Sequence, residues 1–80
     1  MEKRTEVIDE IISILSKVKE CKISSLDENL FGIEYDYTSG EMLDVCMELR
    51  SRYHVNLNLF IGNIKEFTVN NIADALLKIC

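Results

Sequence analysis

The sequence predicts an all-α fold, a small four-helix bundle, on three observations. Apolar residues recur at three- and four-residue spacing in two long stretches and in a shorter closing one. No proline interrupts any of them. The single segment that alternates like a strand, YHVNLNLFI, has no second strand to pair with. With 80 residues, 48% of them hydrophobic, the chain has room for one domain, residues 1–80, around one small core.

The first helix spans residues 2–19. Val7, Ile8, Ile11, Ile12, Leu15 and Val18 form one stripe with Ile14 alongside, and acids lie early and lysines late, as the helix dipole prefers. Residues 20–38 show no sustained period. Such a connection, about nineteen residues long, exceeds ordinary loop lengths, so an ordered, packed loop is expected. Leu26, Leu30, Phe31 and Ile33 are its candidate anchors, with one short helical turn near residues 27–31. The helical period resumes over residues 39–53 through Met42, Val45, Cys46, Leu49 and Tyr53, with Leu43 and Met47 flanking. A loop and a short third helix around residues 61–67 follow. Thr68 then opens a final helix over residues 69–78, with Ile72, Leu76 and Ile79 on one face and Ala73 and Ala75 permitting close approach.

Composition excludes several function classes. No segment approaches the ~20 apolar residues of a membrane span, and the start MEKRTEVIDE is too charged for a signal peptide, so a soluble cytoplasmic protein is expected. Cys21, Cys46 and Cys80 are odd in number and far apart, which is neither a disulfide framework nor a metal set; Cys46 reads as a buried thiol. His54 is the only histidine, and nothing near it or the cysteines supplies the orienting group of a nucleophilic pair. No carboxylate pair, metal set or triad is visible, so the chain reads as non-catalytic.

The net charge of −5 is unevenly distributed. Acids and bases balance up to Lys22. Asp27, Glu28, Glu34, Asp36, Glu41, Asp44 and Glu48 then follow with no base among them, and Arg50 and Arg52 end the acidic run. Nucleic acid is a poor partner for such a surface. A basic protein surface fits it better, with ordinary solvation of a helix face as the alternative.

The second helix opens at DYTSGEML. Thr38-Ser39-Gly40-Glu41 matches the S/T-x-x-E capping box, with Thr38 as N-cap and Glu41 reaching back. That accounts for Thr38 and Glu41 but not for Ser39 and Gly40, since glycine weakens a helix. A hydroxyl at the first helical position lies beside free backbone N–H groups at the positive end of the dipole, where a phosphate ester on it would be stabilised.

At this point the chain resembles the acyl and peptidyl carrier proteins. MLDVCMELRSRYHVNL is similar to their second helix, FTVNNIADALL to their final helix, and DENLFGIEYD to the loop leading to their modified serine. Aligning Tyr53 with the family's aromatic residue sets Ser39, without a gap, on the serine that receives 4′-phosphopantetheine. The resemblance covers nearly the whole chain and implies a four-helix bundle of acyl-carrier type. It also implies that a phosphopantetheinyl transferase moves the arm from coenzyme A to Ser39, with Mg²⁺ supplied in the transferase site and Thr38 and Gly40 flanking the attachment point. The arm would hold an acyl, aminoacyl or peptidyl group as a thioester. Loading and downstream enzymes of fatty acid or secondary metabolite biosynthesis, with basic docking surfaces, would engage Glu41, Met42, Leu43, Asp44 and Glu48 of a monomeric carrier; the divergent motif around Ser39 points to a dedicated pathway rather than bulk fatty acid synthesis.

The chain departs from the family at Thr38-Ser39-Gly40, where Asp-Ser-Leu is usual, and at Arg50 and Arg52, where the second helix tends to stay acidic. Two other readings stand beside the carrier: an unmodified interaction module of the same fold acting through the acidic second helix or the apolar residues 57–61, and an unrelated helical regulatory subunit.

Overall fold

A computed structural model describes residues 3–20 and 22–79, the side chain of Ile79 excepted; Glu2, Cys21 and Cys80 lie outside the described residues. The described chain is all-helical and compact: α1 (Lys3–Val18), α2 (Ser39–Tyr53), α3 (Leu57–Gly62) and α4 (Val69–Ile79), with no strand among the described residues. α1 packs against both α2 and α4, and α3 packs against the same two helices from the other side of the chain order. No helix among the described residues is long and apolar enough to cross a membrane.

The stripes foreseen on α1, α2 and α4 form the core. Val7, Ile11, Ile14 and Leu15 of α1 are buried, while Ile8, Ile12 and Val18 lie at its margin, so the face turns slightly toward Ile14. Met42, Val45, Cys46 and Leu49 of α2 and Ile72, Ala73, Ala75 and Leu76 of α4 belong to the same cluster. α2, α3 and α4 are capped by their own sequence. Thr68 Oγ1 accepts from Asn71 N–H at 3.0 Å at the start of α4. Outside the core, Arg4 of α1 reaches α4 through Asp74 and Asn70, and Arg52 of α2 reaches Glu10 of α1.

α3 begins earlier than the sequence reading placed it, at Leu57 rather than near residue 61. The reason is Asn56, whose Oδ1 accepts from Leu59 N–H at 3.1 Å and caps a helix across the segment that alternates. Winding that segment turns Phe60 fully inward and leaves Leu59 outside.

The loop between α1 and α2 is held by hydrogen bonds to its own far end and to the start of α4. Leu30, fully buried, donates its N–H to Phe67 O at 2.8 Å and accepts from Tyr37 N–H at 2.9 Å. Leu26 O accepts from Asn70 N–H at 3.0 Å. The turn foreseen at residues 27–31 sits later: Asn29 Oδ1 accepts from Phe31 N–H at 2.8 Å and Gly32 O from Asp36 N–H at 2.7 Å.

Of the four expected anchors, Leu30 is buried and Leu26 partly so, but Phe31 is exposed and Ile33 is 100% exposed at the loop tip. Tyr35 and Tyr37 take their place in the core. Each phenol has a backbone partner, which is how a buried tyrosine avoids an unsatisfied hydroxyl. Tyr35 Oη accepts from Ser24 N–H at 3.0 Å and Ser25 N–H at 2.9 Å, and Tyr37 Oη donates to Leu15 O at 2.8 Å.

Removing the Tyr35 hydroxyl leaves two loop N–H groups without their acceptor. Tyr35→Phe is therefore expected to lower stability by about 1–3 kcal/mol, read as a fall in the urea midpoint at unchanged slope.

Candidate functional site

The start of α2 is positioned from the end of α1. Lys19, just past α1, donates from Nζ to Tyr35 O at 2.9 Å and to Asp36 O, and lies 5.3 Å from the centroid of the Tyr37 ring. Asp36 adopts the left-handed region, φ 52°, which turns the chain sharply before the helix. Two carbonyls converging on one ammonium hold that turn in place. The next residue but one, Thr38, is extended and begins the cap.

The capping box forms as its residues predict. Thr38 Oγ1 accepts from Glu41 N–H at 3.1 Å, and Glu41 Oε1 accepts from Thr38 N–H at 2.9 Å. Met42 N–H closes the first backbone bond of the helix on Thr38 O at 2.9 Å. Ser39 takes no part in this. It is exposed at the first helical position, and among the described residues its hydroxyl has no protein partner. The N–H groups of Ser39 and Gly40 likewise have no acceptor among the described residues, as expected of a helix's first turn.

Gly40 is not required by the fold. Its φ is not positive, and a Cβ added there would meet only Thr38 Oγ1, at 4.0 Å. What the glycine leaves is open space at the second position of the helix, next in the chain to Ser39.

Ser39 also borders an apolar groove of about 140 Å³. Met42, Leu43 and Cys46 of α2 form one wall and Ile61 of α3 faces them. Phe31 and Phe67 close the end, edge to face with centroids 5.3 Å apart. Cys46 sits within it as a buried free thiol, and burial pushes its pKa up to about 11.

The residues expected to meet partners divide. Leu43 is 52% exposed and Asp44 is exposed with no ion pair among the described residues. Met42 is only 3% exposed, so it belongs to the core and the groove wall and not to an outer contact surface. The 100° step between neighbouring helical positions separates it from Leu43. Glu41 is engaged in the cap, with Lys19 Nζ 4.0 Å from its Oε1. Glu48 lies 3.9 Å from Lys17 and 3.5 Å from Arg52. Met47, 44% exposed one turn beyond Leu43, extends the apolar outer surface. Its i+4 spacing from Leu43 was the available signal.

Comparison of the chain with protein-family models, with curated proteins and with solved structures gives no match.

Two outcomes follow from this geometry. Thr38→Ala is expected to lower stability by about 1 kcal/mol, whereas Gly40→Ala raises it by about 0.5–1 kcal/mol, both read by urea unfolding. Cys46 titrates at about 11 in the folded chain against 9.0 for an ordinary thiol, so its contribution to stability is complete below pH 9 and is lost as pH rises through 11. Native-state alkylation at pH 8 should accordingly spare Cys46; labelling at the rate of a free thiol would contradict the burial.

Proposed function

We propose that the chain is an acyl (or aminoacyl or peptidyl) carrier protein, a four-helix bundle of acyl-carrier type that holds its cargo on 4′-phosphopantetheine attached to Ser39. The observation that carries this reading is the division of labour at the start of α2. Thr38 and Glu41 complete the cap, and Ser39 Oγ is left exposed, without a partner, on the rim of an apolar groove.

The residues present suit the group. A phosphodiester on Ser39 would lie beside the unpaired N–H groups of Ser39 and Gly40, at the positive end of the α2 dipole, in the space that Gly40 leaves open. When bound, the arm supplies a terminal thiol that carries the cargo as a thioester. The chain's own part is to present the serine, fixed by the Lys19 clamp, and to offer apolar surface next to it. The chemistry belongs to partners: a phosphopantetheinyl transferase drawing on coenzyme A, then loading and downstream enzymes.

Recognition by basic partner surfaces rests on a smaller area than the run of acids implies. Glu41 and Glu48 have cationic neighbours within the chain. Asp44 and Leu43 remain as the free contact pair of α2, with Met47 one turn beyond Leu43. That same surface supports the second reading, an unmodified interaction module, because it is present whether or not Ser39 is modified.

The deciding experiment is coexpression with a promiscuous transferase, followed by intact mass. The wild-type chain is expected to gain one phosphopantetheine and Ser39→Ala to gain nothing. No gain, or a gain that survives Ser39→Ala, overturns the carrier reading. In that case, partner binding indifferent to Ser39→Ala but lost in Asp44→Lys would support the interaction module.

A further inference from the structure

The far end of α2 carries a feature that the carrier reading does not use. Arg50 and His54, one helical turn apart, line two adjoining shallow recesses of about 540 and 590 Å³ at the corner between α2 and α3. Val55 borders both, and the amides of Asn56 and Asn58 border the second. Arg50 is exposed, and among the described residues its side chain has no partner. Arg52 differs, being engaged by Glu10 and Glu48. A cation in the last turn complements the helix dipole, but that does not account for the recess Arg50 shares with a histidine.

The backbone at His54 adds a separate observation. It closes α2 in the left-handed conformation, φ 57° and ψ 39°, with its N–H on Arg50 O. Glycine is the usual residue there. Histidine is one of the side chains that this region tolerates, and here it sets an imidazole in the same recess as an unpaired guanidinium.

This corner lies on the same outer face as Ser39. Ser39, Leu43, Met47, Arg50 or Ser51, and His54 follow at three- and four-residue spacing, and all are exposed. The stripe runs from a hydroxyl through two apolar side chains to a cationic end. From Ser39 to Arg50 the helix rises about 16 Å. An extended pantetheine arm has roughly the chain length of five extended residues, about 17 Å.

Resting on the carrier reading, we propose that Arg50 and His54 form a carboxylate-binding subsite for the cargo: the group carried on Ser39 bears a carboxylate distal to its point of attachment. The arm lies along Leu43 and Met47, and the carboxylate accepts hydrogen bonds from the Arg50 guanidinium and an imidazole N–H. Charge complementarity selects this occupant. The surface toward Ser39 is acidic and repels a carboxylate, whereas the α2–α3 corner attracts one.

The test attaches two cargoes to Ser39 by transferase, each through a hydrolysis-resistant amide: succinyl, and uncharged pentanoyl of similar length. Intact mass is taken before amide NMR spectra are compared. The succinyl form is expected to shift the signals of Arg50, His54 and Val55 relative to the pentanoyl form. The difference should vanish in Arg50→Gln, persist in part in Arg50→Lys, and weaken when salt rises from about 0.1 M to 1 M. Full mass gain with indistinguishable spectra, or a difference that survives Arg50→Gln, overturns the subsite and leaves the carrier reading intact. The same shifts on adding free succinate to the unmodified chain at equal concentration would also overturn it, by showing a site indifferent to the arm. Absence of any mass gain overturns both.

Discussion

The arrangement of this chain depends on one ammonium group. Lys19 follows the last turn of α1 and collects the carbonyls of Tyr35 and Asp36, with the Tyr37 ring beneath it. Each of these contacts is modest, but together they decide where a long connection ends and in which direction α2 leaves. Without the clamp, the left-handed turn at Asp36 would have only its own local bonds to hold it. With it, the turn that leads into the cap on Thr38 is fixed from the end of another helix.

The same economy shapes the electrostatics. The acids of residues 27–48 look like a continuous negative surface when read along the chain. In space, Lys17, Lys19 and Arg52 come to Glu48 and Glu41 from α1 and from the end of α2. Such exposed pairs contribute little to stability. Their larger effect is to leave Asp44 as the unpaired acid of α2 among the described residues and to leave the other end of that helix cationic, so that it presents opposite signs at its two ends.

Much of this was legible in the sequence, for physical reasons that differ by element. The helical period exposed the buried faces of α1, α2 and α4 because burial repeats with the turn of the helix. The capping box was legible because its bonds span three residues, and Thr38-Ser39-Gly40-Glu41 contains all of them. α3 was misplaced because alternation over Val55, Leu57 and Leu59 outweighed the single cap at Asn56. The loop was harder still. Tyr35 and Tyr37 are anchors, while Phe31 and Ile33 are not, because the phenols find backbone partners at Ser24, Ser25 and Leu15. Bonds between a side chain and a distant backbone group leave no periodic trace, and the Lys19 clamp is of that kind. At the candidate site, Ser39 and its freedom from the cap were readable in advance, but the groove was not. It needs α3 and Phe67 brought to α2 by the fold.

The two backbone bonds of Leu30 divide the long connection in a way that bears on how such a chain can change. Because that residue links the approach to α4 with the approach to α2, the segment up to Leu30 and the segment from Tyr35 onward behave as fixed stems. Between them a short tip projects, ending in a wholly exposed isoleucine. At Ile33 and Glu34, both exposed, side chains can vary without disturbing the serine a few residues beyond, whereas Phe31 is held in the groove against Phe67. The connection is therefore a frame carrying an adjustable finger, and new surface can be added beside the reactive end of α2 while its geometry is conserved.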